Sequence, residues 1–204
     1  MEVRLKIIFA ADLLFKAKGA KPVTMDEIAA NLGISKKTLY GNFSNKAEVV
    51  QAVTQNHFEQ QKRDLDEIHK VAHNPVHEII LIMEWMSRIF KGISPQLIYD
   101  IQRYYPDAWN IFHEFKNKDS LEMVRENLEK GILAGLYRVE LDIDILSKLR
   151  IEEIGFCLNE NVYPPDKFDF PTVSLQLLEH FLHGVVTIKG KKMINKYLNR
   201  VEEE

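Results

Sequence analysis

The stretch from Thr24 to Lys46, T-M-D-E-I-A-A-N-L-G-I-S-K-K-T-L-Y-G-N-F-S-N-K, admits few structures, because start and stop signals for two short helices are written into it. Thr24 followed by Glu27 has capping-box spacing, in which each side chain satisfies a backbone N–H that the first helical turn leaves without a partner. A helix is therefore predicted from about Met25. Ile28, Ala29 and Leu32 form one apolar stripe, and Gly33 follows where a left-handed C-terminal residue is needed. Ser35 is a good N-cap for a second helix, whose inward face would be Leu39 and Phe43 at i and i+4, with Ile34 packed in the turn. Asn45 and Glu48 repeat the capping-box spacing at the start of a third. The pattern is that of a helix-turn-helix.

Lys36, Lys37 and Thr38 fall in the exposed first turn of the second helix. Positive charge is disfavoured there by a few tenths of a kcal/mol, so binding accounts for the lysines better than folding does. In helix-turn-helix geometry the N-terminal residues of the second helix reach base edges in the major groove. Lys36 and Lys37 are placed for guanine or phosphate, and Asn42, one turn beyond Thr38, has the amide for a bidentate contact with adenine. Double-stranded DNA is the implied partner.

These residues resemble the TetR family of bacterial transcriptional regulators. The match includes I-I-F-A-A-D-L-L-F-K-A-K-G, Ile7 to Gly19, which is similar to that family's first helix, and runs on through K-A-E-V-V-Q-A-V, Lys46 to Val53. The resemblance implies that Lys36, Lys37, Thr38, Tyr40, Asn42 and Lys46 fall at DNA-contacting positions, Tyr40 and Lys46 mainly on phosphates. With the two caps, the expected DNA-binding set is Thr24, Ser35, Lys36, Lys37, Thr38, Tyr40, Asn42 and Lys46.

A chain of 204 residues with 46% hydrophobic content can bury a sizeable core. Its net charge of −3 is unevenly divided: residues 1 to 50 carry eight Lys and Arg against five Asp and Glu, a net of +3, leaving −6 for the remainder. A basic reading head on an acidic body is expected. The single cysteine, Cys157, excludes an internal disulfide framework and a cysteine zinc cluster. No stretch approaches the roughly 20 apolar residues of a membrane span and no signal core opens the chain, so a soluble, cytoplasmic protein is expected, without membrane partners.

Helical periodicity continues through nearly every later segment, predicting an all-α chain: a three-helix reading domain, residues 1–48, continuous through the fourth helix with a larger helical domain, 49–204, for effector binding and dimerisation. Breaks are expected at His73-Asn74-Pro75, at Ser94-Pro95, before Pro106, near Asn117, at Gly135, at Tyr163-Pro164-Pro165 and at Gly190, with an acidic end at Glu202 to Glu204. The middle of the chain is rich in aromatic residues. Core packing would explain them; so would a small-molecule pocket between helices, which the resemblance also implies. The expected ligand-binding set is Trp85, Phe90, Tyr99, Tyr104, Trp109, Phe112 and His113, for a small apolar or aromatic effector. The segment Leu175 to Val186 is apolar around most of its circumference and must bury two sides. With the preceding helix, which carries Ile145, Leu146, Leu149, Ile154, Phe156 and Leu158, it is expected to form a homodimeric four-helix bundle through Leu178, Phe181, Leu182 and Val185.

Other motifs are weak. His180 and His183 beside Glu179, and His73 with His77, lack a third ligand, so no metal is expected, and no cofactor. Cys157 lies among Ile154, Phe156 and Leu158, a setting for burial rather than reactivity. No phosphate loop or catalytic constellation stands out, so enzymatic activity is not expected. The sequence implies a homodimeric repressor of TetR type, released from a palindromic operator by its effector. The alternative is a helical ligand-binding or protein-interaction adapter that retains a vestigial reader.

Overall fold

In a computed structural model, which describes residues 2–91 and 93–198, the chain is all-α. Eleven α-helices follow one another among the described residues: α1 (Val3–Lys18), α2 (Met25–Leu32), α3 (Lys36–Tyr40), α4 (Lys46–Val71), α5 (Pro75–Ile89), α6 (Pro95–Tyr104), α7 (Pro106–Glu114), α8 (Leu121–Leu133), α9 (Ile143–Phe156), α10 (Phe170–Val185) and α11 (Ile188–Leu198). One π-helical turn, Phe115–Ser120, stands between α7 and α8, at the interruption expected near Asn117. The acidic end, Glu202 to Glu204, lies outside the described residues. None of the described helices is long and apolar enough to cross a membrane.

The chain forms two compact units. The first joins Met1–Lys62 to Gly92–Phe115; the second joins Arg63–Lys91 to Lys116–Glu204. Helices α6 and α7, beyond the expected division at 48/49, thus belong to the same unit as the helix-turn-helix, and the change from one unit to the other falls inside α4, between Lys62 and Arg63.

In the first unit Ile7, Ile8, Ala11 and Phe15 of α1 bury against Ile28 and Ala29 of α2, Leu39, Phe43, and Val49, Val50 and Val53 of α4. Leu97 of α6 and Ala108 of α7 complete that core. In the second unit α5 packs on α8, α10 and α11, and α9 on α8 and α10. Its core holds Val76, Ile79, Ile80, Leu128, Tyr137, Leu178, Phe181, Leu182, Val185 and Ile194.

That second core encloses a polar network. Glu78 accepts from Asn127 Nδ2 at 2.8 Å and pairs with His69 Nδ1 at 2.7 Å, while the Tyr137 hydroxyl donates to Asn127 Oδ1 at 2.9 Å. Burial first, and then the charge of Glu78, push the Tyr137 phenol far above its ordinary range, so it remains a donor.

Gly190 is not the separator that its residue type suggested. It lies within α11, where a methyl group would come within 2.3 Å of the Leu136 carbonyl oxygen. The break falls earlier, where Val186 bridges to Tyr137 and Thr187 caps α11 by accepting from the Gly190 N–H at 3.2 Å. Gly131 has a similar role, since a methyl group there would lie 2.0 Å from Cδ2 of the buried Tyr137 ring. Glycine to alanine ordinarily favours a helix by about 1 kcal/mol. At Gly131 the sign should reverse: Gly131→Ala is expected to destabilise the protein by about 1–3 kcal/mol, the usual cost of overpacking, in urea unfolding. An unchanged or raised midpoint would refute the contact.

Candidate nucleic-acid interface

The reading helix α3 has only five residues, and its placement comes from what surrounds it. Thr24 Oγ1 caps α2, accepting from the Glu27 N–H at 3.1 Å, and Gly33 closes α2 with φ 65°. The Glu27 carboxylate, which a full capping box would direct back to Thr24, instead pairs with Lys18, which holds its pKa below the ordinary carboxylate range. Ser35 Oγ caps α3, accepting from the Thr38 N–H at 3.0 Å. Inward, Leu39 and Phe43 are fully buried. Outward stand Lys36, Lys37, Thr38 and Tyr40, the tyrosine being 50% exposed.

The outward groups differ in their readiness to bind. Lys36 Nζ is held by Asp26 of α2 at 2.6 Å. Lys37 has no ion-pair partner among the described residues. Asn42 turns its amide nitrogen back to the Thr38 carbonyl at 2.8 Å, leaving Oδ1 free of that bond. Lys46 donates to the Lys21 carbonyl at 2.7 Å; partial burial lowers its pKa. The expected DNA-binding residues thus gather on α3 and at the first turns of α2 and α4.

One residue of this site escaped sequence reasoning. Arg4 of α1 lies 4.0 Å above the centre of the Phe43 ring, donates to the Asn42 carbonyl at 2.5 Å, and sits 3.5 Å from Glu48. Glu48 also accepts from Ser44 N–H and Oγ, and its pKa falls for that reason, with a smaller part from Arg4. Arg4 therefore clasps the exit of the reading helix from 38 residues away. No local spacing announces it.

The pattern that defines the family described as "Bacterial regulatory proteins, tetR family" matches residues 7–53, from the first core positions of α1 to the buried face of α4. Over these residues the chain is similar to the TetR family. Over 190 residues it is 24% identical to the HTH-type transcriptional repressor KstR2 of Mycolicibacterium smegmatis, covering 92% of each chain. Its fold is similar to that of SmeT, the repressor of a Stenotrophomonas maltophilia multidrug efflux pump, at 19% identity and TM-score 0.68, covering 92% of each chain. It is also similar to a regulator from Saccharomonospora viridis in complex with choline, at 17% identity and TM-score 0.70, covering 90% of this chain and 97% of that one.

Of the residues expected to bind an effector, three come together. Trp109 stacks on Phe112 at 4.7 Å and meets His113 edge-on at 5.3 Å. Phe58 of α4 joins them, 6.0 Å from Phe112 and 5.0 Å from Phe115. All five rings are half-buried, and none belongs to the core of the first unit. The other four lie elsewhere. Trp85 is buried in the second unit and donates to Asp64 at 3.1 Å; Phe90 rests edge-on against Phe170. Tyr99 lies beside Arg103, and Tyr104 hydrogen-bonds to Lys21 on the surface.

The four residues expected to meet a second copy, Leu178, Phe181, Leu182 and Val185, all pack in the chain's own core and are at most 8% exposed. Helix α10 does bury two sides, but it buries them against α5 and α9 of the same chain. The outward apolar residues are on α9: Ile145, Leu149 and Phe156, 63%, 50% and 47% exposed, form one ridge.

Proposed function

We propose that this protein is a homodimeric, sequence-specific DNA-binding repressor that acts in the cytoplasm and whose affinity for a palindromic operator changes when a small apolar or aromatic molecule binds. The observation that carries this reading is the outer face of α3: an unpaired Lys37 and a half-exposed Tyr40 stand on a helix whose inner face is fixed by Leu39 and Phe43. Folding does not require the outer groups. A phosphate or base edge does. That KstR2 and SmeT are repressors supports the direction of control.

For the effector, the half-buried rings of Phe58, Trp109, Phe112 and Phe115 with His113 are the preferred seat. They form an aromatic cluster outside the core, and the choline complex of a similar fold supports ligand binding in such chains. For the dimer, the α9 ridge replaces α10. Two-fold pairing places two reading heads on successive half-sites about 34–36 Å apart. An effector that favours another spacing lowers operator affinity by linkage, and a coupling of about 1–3 kcal/mol gives a several-fold to hundredfold change.

Lys37→Ala is expected to weaken binding to a duplex selected from a random pool by about tenfold, in the range of one good base or phosphate contact. Tyr40→Phe should weaken it a few-fold, and both variants should keep the wild-type thermal midpoint and sedimentation. Wild-type affinity in both would refute the proposed reader. Leu149→Glu is expected to sediment as a folded monomer; a persisting dimer would move the interface elsewhere. Because Trp85 is buried, a change in tryptophan emission on adding a graded series of uncharged aromatic compounds should come from Trp109. Trp109→Phe should abolish both that change and the compounds' effect on duplex affinity. An equal effect in the variant would exclude this seat.

A further inference from the structure

Asp100 of α6 is completely buried, an unusual place for a carboxylate. Its Oδ2 accepts from the Lys21 backbone N–H at 2.7 Å, and its Oδ1 accepts from Gln96 Nε2 at 2.7 Å. The turn between α1 and α2 fits around it. Gly19, at φ 84°, has no room for a side chain, since a methyl group there would lie 2.7 Å from Asp100 Oδ2. One helical turn along α6, Tyr104 takes the other end of the same lysine: Lys21 Nζ donates to the Tyr104 hydroxyl oxygen at 2.9 Å and sits 4.3 Å from the ring centre. Helix α6 thus grips Lys21 at its backbone amide and at its ammonium.

The charge held there is not neutralised by an ion pair. In the reading head Arg4, Lys16, Lys18 and Lys36 are paired with Glu48, Asp12, Glu27 and Asp26. Lys21 and Lys46 have no such pair among the described residues, yet Lys46 Nζ is brought to within 2.7 Å of the Lys21 carbonyl oxygen. One turn thus carries the Lys21 side chain and receives Lys46 on its backbone, and the carboxylate of Asp100 beside it is buried with both oxygens bonded. The donors are available. Lys21 gives one of its three N–H groups to Tyr104, and Tyr104, having accepted that bond, keeps its own O–H to donate.

We propose that Lys21 and Tyr104 form a further phosphate site for the DNA backbone, in which a phosphodiester oxygen is held by Lys21 Nζ and the Tyr104 hydroxyl beside Lys46. This extends the DNA contact from the helix-turn-helix to α6, and it rests on the DNA-binding reading above. A backbone contact positions the protein on the duplex without reading sequence, so its loss should weaken all duplexes alike.

The test is fluorescence anisotropy with the full chain, a duplex selected from a random pool and an unrelated duplex, each over a series of salt concentrations. Lys21→Ala is expected to weaken both duplexes by the same three- to tenfold, and to reduce the slope of log affinity against log salt by about one. Tyr104→Phe should weaken both about two- to threefold at unchanged slope. Lys21→Arg should restore both affinity and slope, which a loss of folding would not allow, and Lys118→Ala, on the π-helical turn, should match wild type. Wild-type binding by Lys21→Ala and Tyr104→Phe, with Lys37→Ala still weakened, would overturn the site and leave the helix-turn-helix reading intact. A loss confined to the selected duplex at unchanged slope would also overturn it. Wild-type binding by all three variants would refute the DNA-binding reading itself.

Discussion

A five-residue helix cannot hold itself together in water, where nucleation alone outweighs so few hydrogen bonds. α3 exists because Leu39 and Phe43 are buried beneath it and Ser35 closes its first turn. Everything that its outer face presents depends on that burial. The supports come from far along the chain: α1 supplies Ile7, Ile8 and Phe15, α4 supplies Val49, Val50 and Val53, and α6 and α7 add Leu97 and Ala108. Arg4 then fixes the exit of the helix through Phe43 and the Asn42 carbonyl. The position of a lysine tip on α3 is thus set by residues that never approach a ligand.

The second unit rests on a different solution to burial. Glu78 is buried with Asn127, which Tyr137 holds in turn, and the part-exposed His69 meets its other oxygen, so a carboxylate that would otherwise be costly to desolvate is satisfied. The network joins the end of α4, α5, α8 and the turn after α8. Apolar packing among Ile79, Leu128, Leu182 and Ile194 resists separation of these helices, and the directed bonds fix their register.

The reading head was legible in the sequence because its signals are local. Thr24, Gly33, Ser35, Leu39 and Phe43 stand at spacings of three or four residues, where helix geometry turns order along the chain into position in space. What stayed hidden depends on distance. Arg4 meets Asn42 across 38 positions and Asp100 meets Lys21 across 79, and no periodicity links either pair. The apolar circumference of α10 was read correctly as burial on two sides. The pattern does not say what encloses it, because a helix enclosed by its own chain and one enclosed by a second copy have the same hydrophobic periodicity. Among the aromatic residues, type alone did not separate Trp85, a core residue, from Trp109, whose ring remains half-open.

The division of labour within α3 reaches beyond a single protein. Residues that fold the helix point inward and residues that meet a partner point outward, and apart from the hydroxyl contact of Thr38 with Ser35 the two sets share few bonds. A lineage can therefore exchange Lys37 or Tyr40 for other side chains while keeping the same scaffold. New target preferences arise by rewriting a few surface letters, and the inherited architecture remains intact through each change.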